Sequence, residues 1–258
     1  MTQPIGRTGL SRIASAAVAA LAVVPSRDTA ALFDDFLGDV LDANWNYVEG
    51  TDASPTDAAV KVGGIGGVLT VSTGDAGTGL AADLAQVNSF LNWRAANGDL
   101  VAETRVKLSA ITNLYMFFGL TDNNALEAPI ESAASGDNIT TNASDAVGFM
   151  FDTRMATDTV WLAGVKADVD ATKQNTNLIP VAGDYMTLRV QVTAAGAALF
   201  FINGVQVGTQ MDNAVSPNVA LTPTFALGNT SLTVAKTADV DYIGVSMKRN
   251  KSGSGVSV

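Results

Sequence analysis

Short runs of alternating apolar and polar residues recur along the chain from about Phe33 to Met247. The clearest is residues 98–110, GDLVAETRVKLSA, whose apolar-side positions share one face: Ala102, Thr104, Val106 and Leu108. The charged residues lie on the opposite face: Glu103, Arg105 and Lys107. This period of two is typical of a β-strand with one buried face and one solvated face.

Other runs are apolar on both faces, which predicts strands in the middle of a sheet. Residues 113–122 (NLYMFFGLTD) and 145–154 (DAVGFMFDTR) are of this kind, and 158–167 follows as a further strand. Additional strands are expected at 35–50, 66–74 and 239–247. Strands of this frequency, separated by Gly, Asn and Asp turns, predict two packed antiparallel sheets.

Residues 188–210 predict a β-hairpin. Two alternating runs end in turn residues, and Asn203–Gly204 is the strongest short hairpin signal. The long segment 123–144 between the predicted strands has no clear period, and we expect it to be an irregular insertion that carries function or a subunit contact.

The two ends differ from the body. Residues 13–24, IASAAVAALAVV, have the outline of a secretory signal, but Ala-rich runs imitate such signals easily. We favour a retained arm over residues 1–32, with a sandwich over 33–248 and a flexible tail over 249–258. The arm is expected to dock on a partner through its basic and apolar side chains: Arg7, Arg12, Ile13, Leu21 and Val24.

Composition restricts the chemistry. The chain has no cysteine and no histidine, which excludes disulfides, thiolate metal sites and histidine-based catalytic triads. Its formal charge of −10 makes a nucleic-acid partner unfavourable. We expect no cofactor, no bound metal and no membrane span, because the apolar run is shorter than the roughly 20 residues that a spanning helix needs.

Three segments resemble concanavalin A-like (laminin-G-like) jelly-roll domains. They are DDFLGDVLDANW (34–45), DYMTLRVQVTAAGAALFFINGVQVGT (184–209) and VDYIGVSM (240–247), and the resemblance extends over about 33–248. It implies an all-β antiparallel β-sandwich of the jelly-roll type. That superfamily includes lectins, family-sixteen glucanases, adhesion modules and viral appendage or decoration proteins.

Hydrolysis by such glucanases depends on paired carboxylates on one strand, in a Glu-x-Asp-x-x-Glu or similar pattern. The matching strand here, AVGFMFDTRM, has the single carboxylate Asp152. The chain has only four glutamates, and none lies on a strand within a few residues of an aspartate: Glu49, Glu103, Glu127 and Glu131. We therefore expect a protein that is not an enzyme.

Binding residues are harder to assign. We expect Trp45 and Trp161 in the core, and we expect Trp93 with Arg94 at the surface, as a glycan or subunit contact. The acidic segments 34–35, 121–124, 168–170 and 239–241 could supply oxygen ligands for calcium, but each is better explained as a turn.

These observations leave two main hypotheses for function. The first is a virion structural protein that decorates a bacteriophage capsid or forms part of an appendage. Its expected partners are the major capsid protein or other virion proteins. The chain itself is expected to form a homo-oligomer, preferably a trimer. The second is a secreted carbohydrate-binding module whose partner is a glycan. A degenerate glycoside hydrolase ranks below both.

Overall fold

The computed structural model describes residues 28–51, 57–61, 66–75, 79–133, 136–230 and 234–249. In this part of the chain, seventeen β-strands form two large antiparallel sheets and one small hairpin. The predicted all-β sandwich is confirmed. The helical element in the described residues is a single 3₁₀ turn at Ala95–Asn97, and none of them forms a helix long and apolar enough to cross a membrane.

Each large sheet has a simple spatial order. Sheet A runs β15 (Val205–Met211), β14 (Ala198–Ile202), β13 (Tyr185–Val192), β6 (Leu100–Leu108), β17 (Thr237–Lys248), β4 (Leu69–Ser72) and β3 (Asp57–Val60). β1 (Thr29–Asp34) also pairs with β17, beyond the end of β4. Sheet B runs β12 (Asp170–Asn175), β11 (Trp161–Lys166), β10 (Ala146–Asp152), β7 (Leu114–Thr121), β16 (Thr222–Asn229), β5 (Ala85–Asn88) and β2 (Asn46–Glu49).

The main core lies between the two sheets. Sheet A contributes only alternate residues to it, because its other face is solvated, and the predicted inner face of β6 is buried as expected. Phe149 of sheet B and Phe200 of sheet A meet across this core, edge to face, with ring centroids 5.4 Å apart. Such pairs add an electrostatic preference to the burial of apolar area.

The central strands of sheet B are buried on both faces. Every residue of β7, β10 and β16 is buried, which confirms the predicted central strands 113–122 and 145–154. A second apolar cluster lies on the outer face, where Tyr115, Phe117 and Met150 pack under residues of the 123–144 segment. That segment is not wholly irregular, since it forms the hairpin of β8 (Ile130–Ser132) and β9 (Ile139–Thr141).

The predicted hairpin at Asn203–Gly204 is confirmed. β14 ends at Ile202 and β15 begins at Val205, so the loop has two residues. Asn203 has φ 51° and Gly204 has φ 79°. A type I′ turn requires positive φ at both positions, which asparagine and glycine tolerate best.

The expected first strand at 35–50 forms only near its end, as β2, which contains Tyr47 but not Trp45. The sheet pairing begins earlier, at Thr29 opposite Lys248, so residues 29–32 belong to the sandwich and not to the predicted arm. Most of 35–50 is a loop before β2, because aspartates accept local backbone bonds: Asp34 Oδ1 from Phe36 N and Asp42 Oδ1 from Asn44 N, both at 2.8 Å. The predicted arm residues 1–27 and the tail residues 250–258 lie outside the described residues.

The aromatic contact between the sheets yields a test of the core. We expect Phe149→Ala to lower the free energy of unfolding by about 3–5 kcal/mol, because it opens a cavity among fully buried side chains. Chemical denaturation would measure this. Phe200→Ala and the double variant complete a cycle, and we expect a coupling of about 0.5–1.5 kcal/mol. If the two single variants changed the free energy of unfolding additively in the double variant, that result would contradict a direct contact between the rings.

Candidate functional site

A groove lies where the 123–144 segment meets the edge of sheet B. It has a volume of about 770 Å³. Its polar lining includes two carboxylates, an amide and a guanidinium: Glu127, Glu131, Asn142 and Arg154. Its apolar lining includes Leu80 and Leu126. A concave site with a few convergent polar groups on an apolar wall is the usual form of a small-molecule or glycan site.

Asp152 anchors the polar end of this groove. It is the last residue of β10, and its side chain, on the outer face of sheet B, is completely buried. Oδ2 accepts a hydrogen bond from the backbone N of Ser132 at 2.9 Å, which attaches β8 to β10. Oδ1 accepts one from the backbone N of Arg154 at 3.0 Å. The aspartate therefore fixes the position of the hairpin over the sheet.

Arg154 joins Asp152 to Glu131. Its Nε donates to Asp152 Oδ1 at 3.0 Å, and its Nη2 donates both to Asp152 Oδ2 at 2.7 Å and to Glu131 Oε2 at 2.8 Å. Burial alone would lower the pKa of Arg154, but the hydrogen bonds and charges of Asp152 and Glu131 outweigh it and raise the pKa above its ordinary value. The guanidinium therefore stays charged.

The geometry limits the distance between the two carboxylates. Asp152 Oδ2 and Glu131 Oε2 both contact Arg154 Nη2, at 2.7 and 2.8 Å, so the two oxygens lie less than roughly 5.5 Å apart. This upper limit is compatible with a retaining glycosidase, whose carboxyl groups are about 5–5.5 Å apart. The two residues differ in access, since the Glu131 side chain is partly exposed and that of Asp152 is not. Glu131 is the carboxylate that a ligand in the groove can reach.

Buried amides fix the start of the insertion. Gln86 on β5 donates to the Ala125 carbonyl at 3.1 Å and accepts from the Glu127 backbone N at 3.0 Å. Asn88 donates to the Asn124 carbonyl at 3.0 Å. Glu127 is thereby held at the groove, where burial, assisted by the charge of Asp122, raises its pKa despite the hydrogen bond from Asn123. The groove wall is therefore attached to the sheet and has a defined shape.

The sequence-predicted binding pair takes a different position. Trp93 is only 6% exposed and packs in the main core, and its backbone pairs with Leu221. The expectation of a surface tryptophan is therefore wrong, because this isolated bridge draws the ring between the sheets. Arg94 is exposed, and its side chain does not line the groove. Trp45 is in the main core as expected, whereas Trp161, also buried, lies in the outer cluster on sheet B.

The acidic segments considered for calcium are separated in the fold. Within the described residues, no three carboxylates come close enough together to hold a metal ion. Asp239, for example, is engaged by Lys107 Nζ at 2.8 Å and by Thr70 Oγ1 at 2.9 Å. Burial opposes ionisation of Asp239, but the bonds from Lys107 and Thr70 outweigh it and lower its pKa.

Comparison with known proteins shows the fold. No protein-family model matches the sequence, and no curated protein is similar to it. Among solved structures, a glycoside hydrolase family 16 endo-glucanase from Bacteroides ovatus has a TM-score of 0.56 at 16% identity, covering 83% of this chain and 99% of its own. A laminarinase catalytic domain from Thermotoga petrophila has a TM-score of 0.55 at 12% identity, covering 85% of this chain and 97% of its own. A Shewanella oneidensis protein of unknown function has a TM-score of 0.58 at 14% identity, covering 99% of this chain and 100% of its own.

These similarities confirm the jelly-roll β-sandwich fold. They contradict the expectation that the chain is not an enzyme, because structures with this fold include endo-glucanases and a laminarinase. The reason for that expectation also fails in part. No glutamate lies within a few residues of an aspartate on one strand, yet the β8–β9 hairpin brings Glu131 to Arg154 and Asp152. At these identities the similarity shows the fold, and activity is a matter of proposal.

The sequence analysis missed the cluster of Glu131, Asp152 and Arg154. A signal was present, since Asp152 and Arg154 are two residues apart at the end of a buried strand and Glu131 lies in the short alternating run 130–132. Pairing across twenty residues of chain could not be read from spacing alone.

We expect Asp152→Asn to lower the free energy of unfolding by about 3 kcal/mol, because it leaves a partly buried guanidinium without its main counter-charge. Hydrogen exchange at the Ser132 amide should become faster, since that amide donates to the aspartate. The exposed Asp184→Asn is the control and should change stability by no more than about 0.5 kcal/mol. Equal effects of the two variants would disprove the anchoring role of Asp152.

Proposed function

We propose that the protein binds a polysaccharide chain of the β-glucan type in the groove beside Glu131. The observation that carries the proposal is the convergence of Glu131, Asn142 and Arg154 on one concave surface with apolar neighbours. A sugar presents hydroxyl groups that both donate and accept, together with apolar C–H faces. The carboxylate, amide and guanidinium groups would form hydrogen bonds with the hydroxyl groups. Leu80 and Leu126 would pack against the apolar C–H faces.

The choice of ligand is supported by the similar structures. They include an endo-glucanase in complex with G4G3G-2F-DNP, a mixed-linkage glucan family 16 protein in complex with a G4G4G3G product, and an endo-1,3-β-glucanase. Glucans with β-1,3 and mixed linkages are therefore the first ligands to test on this chain.

Cleavage of the bound chain is the second candidate function. It is favoured by the closeness of the Glu131 and Asp152 carboxylates, whose shared contact with Arg154 Nη2 is compatible with a retaining pair. The bonding of Asp152 weighs on the other side, since both of its oxygens accept hydrogen bonds and its side chain is buried. Both Glu131 oxygens also accept bonds, from Asn142 and Arg154, but the Glu131 side chain is partly exposed to the groove, and we rank binding first.

The predicted virion role, with a capsid partner or a trimeric assembly, stays a prediction. The similar structures named above are glycoside hydrolases and a protein of unknown function, and they give it no support. Location on a virion or outside a cell likewise stays a prediction.

Affinity electrophoresis in gels containing laminarin or mixed-linkage β-glucan tests the proposal. We expect the wild-type protein to be retarded, and Glu131→Gln to lower the apparent affinity about fivefold or more, because a charged acceptor is lost. Asp212→Asn, which removes an exposed carboxylate that does not line the groove, should bind as the wild type does. Equal retardation of wild type and Glu131→Gln would place binding elsewhere, and no retardation in either glucan would refute the proposal.

Incubation with the same glucans tests cleavage. If the groove is an active site, reducing ends should appear with the wild-type protein and be abolished in Glu131→Gln. Retardation without release of reducing ends would assign the groove to binding alone.

A further inference from the structure

The outer face of sheet A carries a shallow trough along β17. Outward positions of this strand are occupied in turn by Tyr242, Gly244 and Ser246, so a large side chain is followed by two small ones. The neighbouring strands β1 and β6 lie roughly 10 Å apart, two strand spacings, on either side. The resulting depression has a volume of about 410 Å³ and is open to solvent.

One wall of the trough is aromatic. Phe33 on β1 is 63% exposed, yet its ring has a fixed neighbour, with its centroid 5.5 Å from that of Tyr242 and an interplanar angle of 31°. A Cβ atom placed on Gly244 would lie only 3.2 Å from the Phe33 ring. The ring therefore leans over the glycine. An exposed aromatic ring held in place in this way is a preformed apolar contact surface.

The opposite wall is polar and equally well held. The Tyr242 hydroxyl donates to Glu103 Oε1 at 2.7 Å. Burial and this bond to Glu103 raise the pKa of Tyr242 to about 12, so the hydroxyl stays protonated. The Arg189 guanidinium lies 4.2 Å from the centre of the Phe201 ring, and its Nε is 3.9 Å from Glu103 Oε2. These side chains have few alternative positions, which lowers the entropic cost of binding.

Hydrogen-bonding capacity remains unused along this wall. The distance from Arg189 Nε to Glu103 is too long for a hydrogen bond, and this buried nitrogen has no other acceptor. In the described part of the chain, no side-chain hydrogen bond engages the Gln191 amide, which also lines the trough. Arg189 Nε is itself buried, but the Arg189 side chain as a whole is 32% exposed, so ligand hydroxyl groups would bond to its exposed part and to the Gln191 amide.

We propose that this trough is a second glycan site, which takes an uncharged hexose unit stacked on Phe33 and Tyr242. Its hydroxyl groups would bond to Glu103, Arg189 and Gln191. Glu103 and Arg189 neutralise each other, which favours a neutral ligand over an ionic one. The proposal rests on the proposed function in that both require glucan binding, but the trough is on sheet A and the groove is on sheet B.

Isothermal titration with laminarihexaose tests the trough. We expect two hexasaccharides per wild-type chain. Phe33→Ala removes half of the aromatic wall and should weaken the trough site about 5- to 10-fold. Gly244→Val should abolish it, because the new side chain fills the floor and displaces the Phe33 ring. The control is Phe90→Ala, which removes another half-exposed phenylalanine that does not line the trough.

The outcomes separate the two proposals. Loss of one site in Phe33→Ala and Gly244→Val, with the other kept, supports the trough, provided that thermal unfolding shows both variants folded. If both variants titrate as the wild type does while Glu131→Gln loses binding, the trough is refuted and the groove stands. If Phe33→Ala loses all binding and Glu131→Gln loses none, the groove is refuted and the trough stands. If the wild-type protein binds no laminarihexaose, both proposals fall.

Discussion

The structure depends on one constraint, which is that the central strands of sheet B have no solvated face. These strands carry apolar residues on both sides, so burial against sheet A covers only half of them. The other half must be covered by something else, and the segment between β7 and β10 covers it. The buried amides of Gln86 and Asn88 and the carboxylate of Asp152 fix that cover in place through backbone groups. Apolar burial supplies the driving force and these polar bonds supply the position.

The candidate groove is a product of this arrangement. None of its polar side chains is placed by sheet B alone. Glu131 comes from the covering hairpin, Arg154 follows the end of β10, and the contact between them exists only once the hairpin has docked. In sheet A the situation is the reverse, because the outward side chains of neighbouring strands form the trough directly through their register. One sandwich therefore presents two surfaces with different origins.

Local signals predicted the fold well, and long-range contacts limited the prediction of the site. The period of two on β6, the doubly apolar β7 and β10, and the Asn203–Gly204 turn each depend on residues close in sequence, and the structure confirms them. Trp93 was misplaced because its burial is decided by pairing with Leu221, far along the chain. The acid pair was missed for the same reason, since the hairpin fold that joins Glu131 to Asp152 leaves no periodic trace.

The twelve-residue strand β17 has a consequence for how the chain acquires this structure. It is the one described strand that touches β6 on one side and both β4 and β1 on the other. During synthesis, a ribosome delivers those three strands long before their common neighbour. Until the last described residues emerge, the half-built sheet has unsatisfied edges and an exposed inner face, the features that make nascent chains stick to one another. The sandwich is therefore completed only after β17 has left the ribosome.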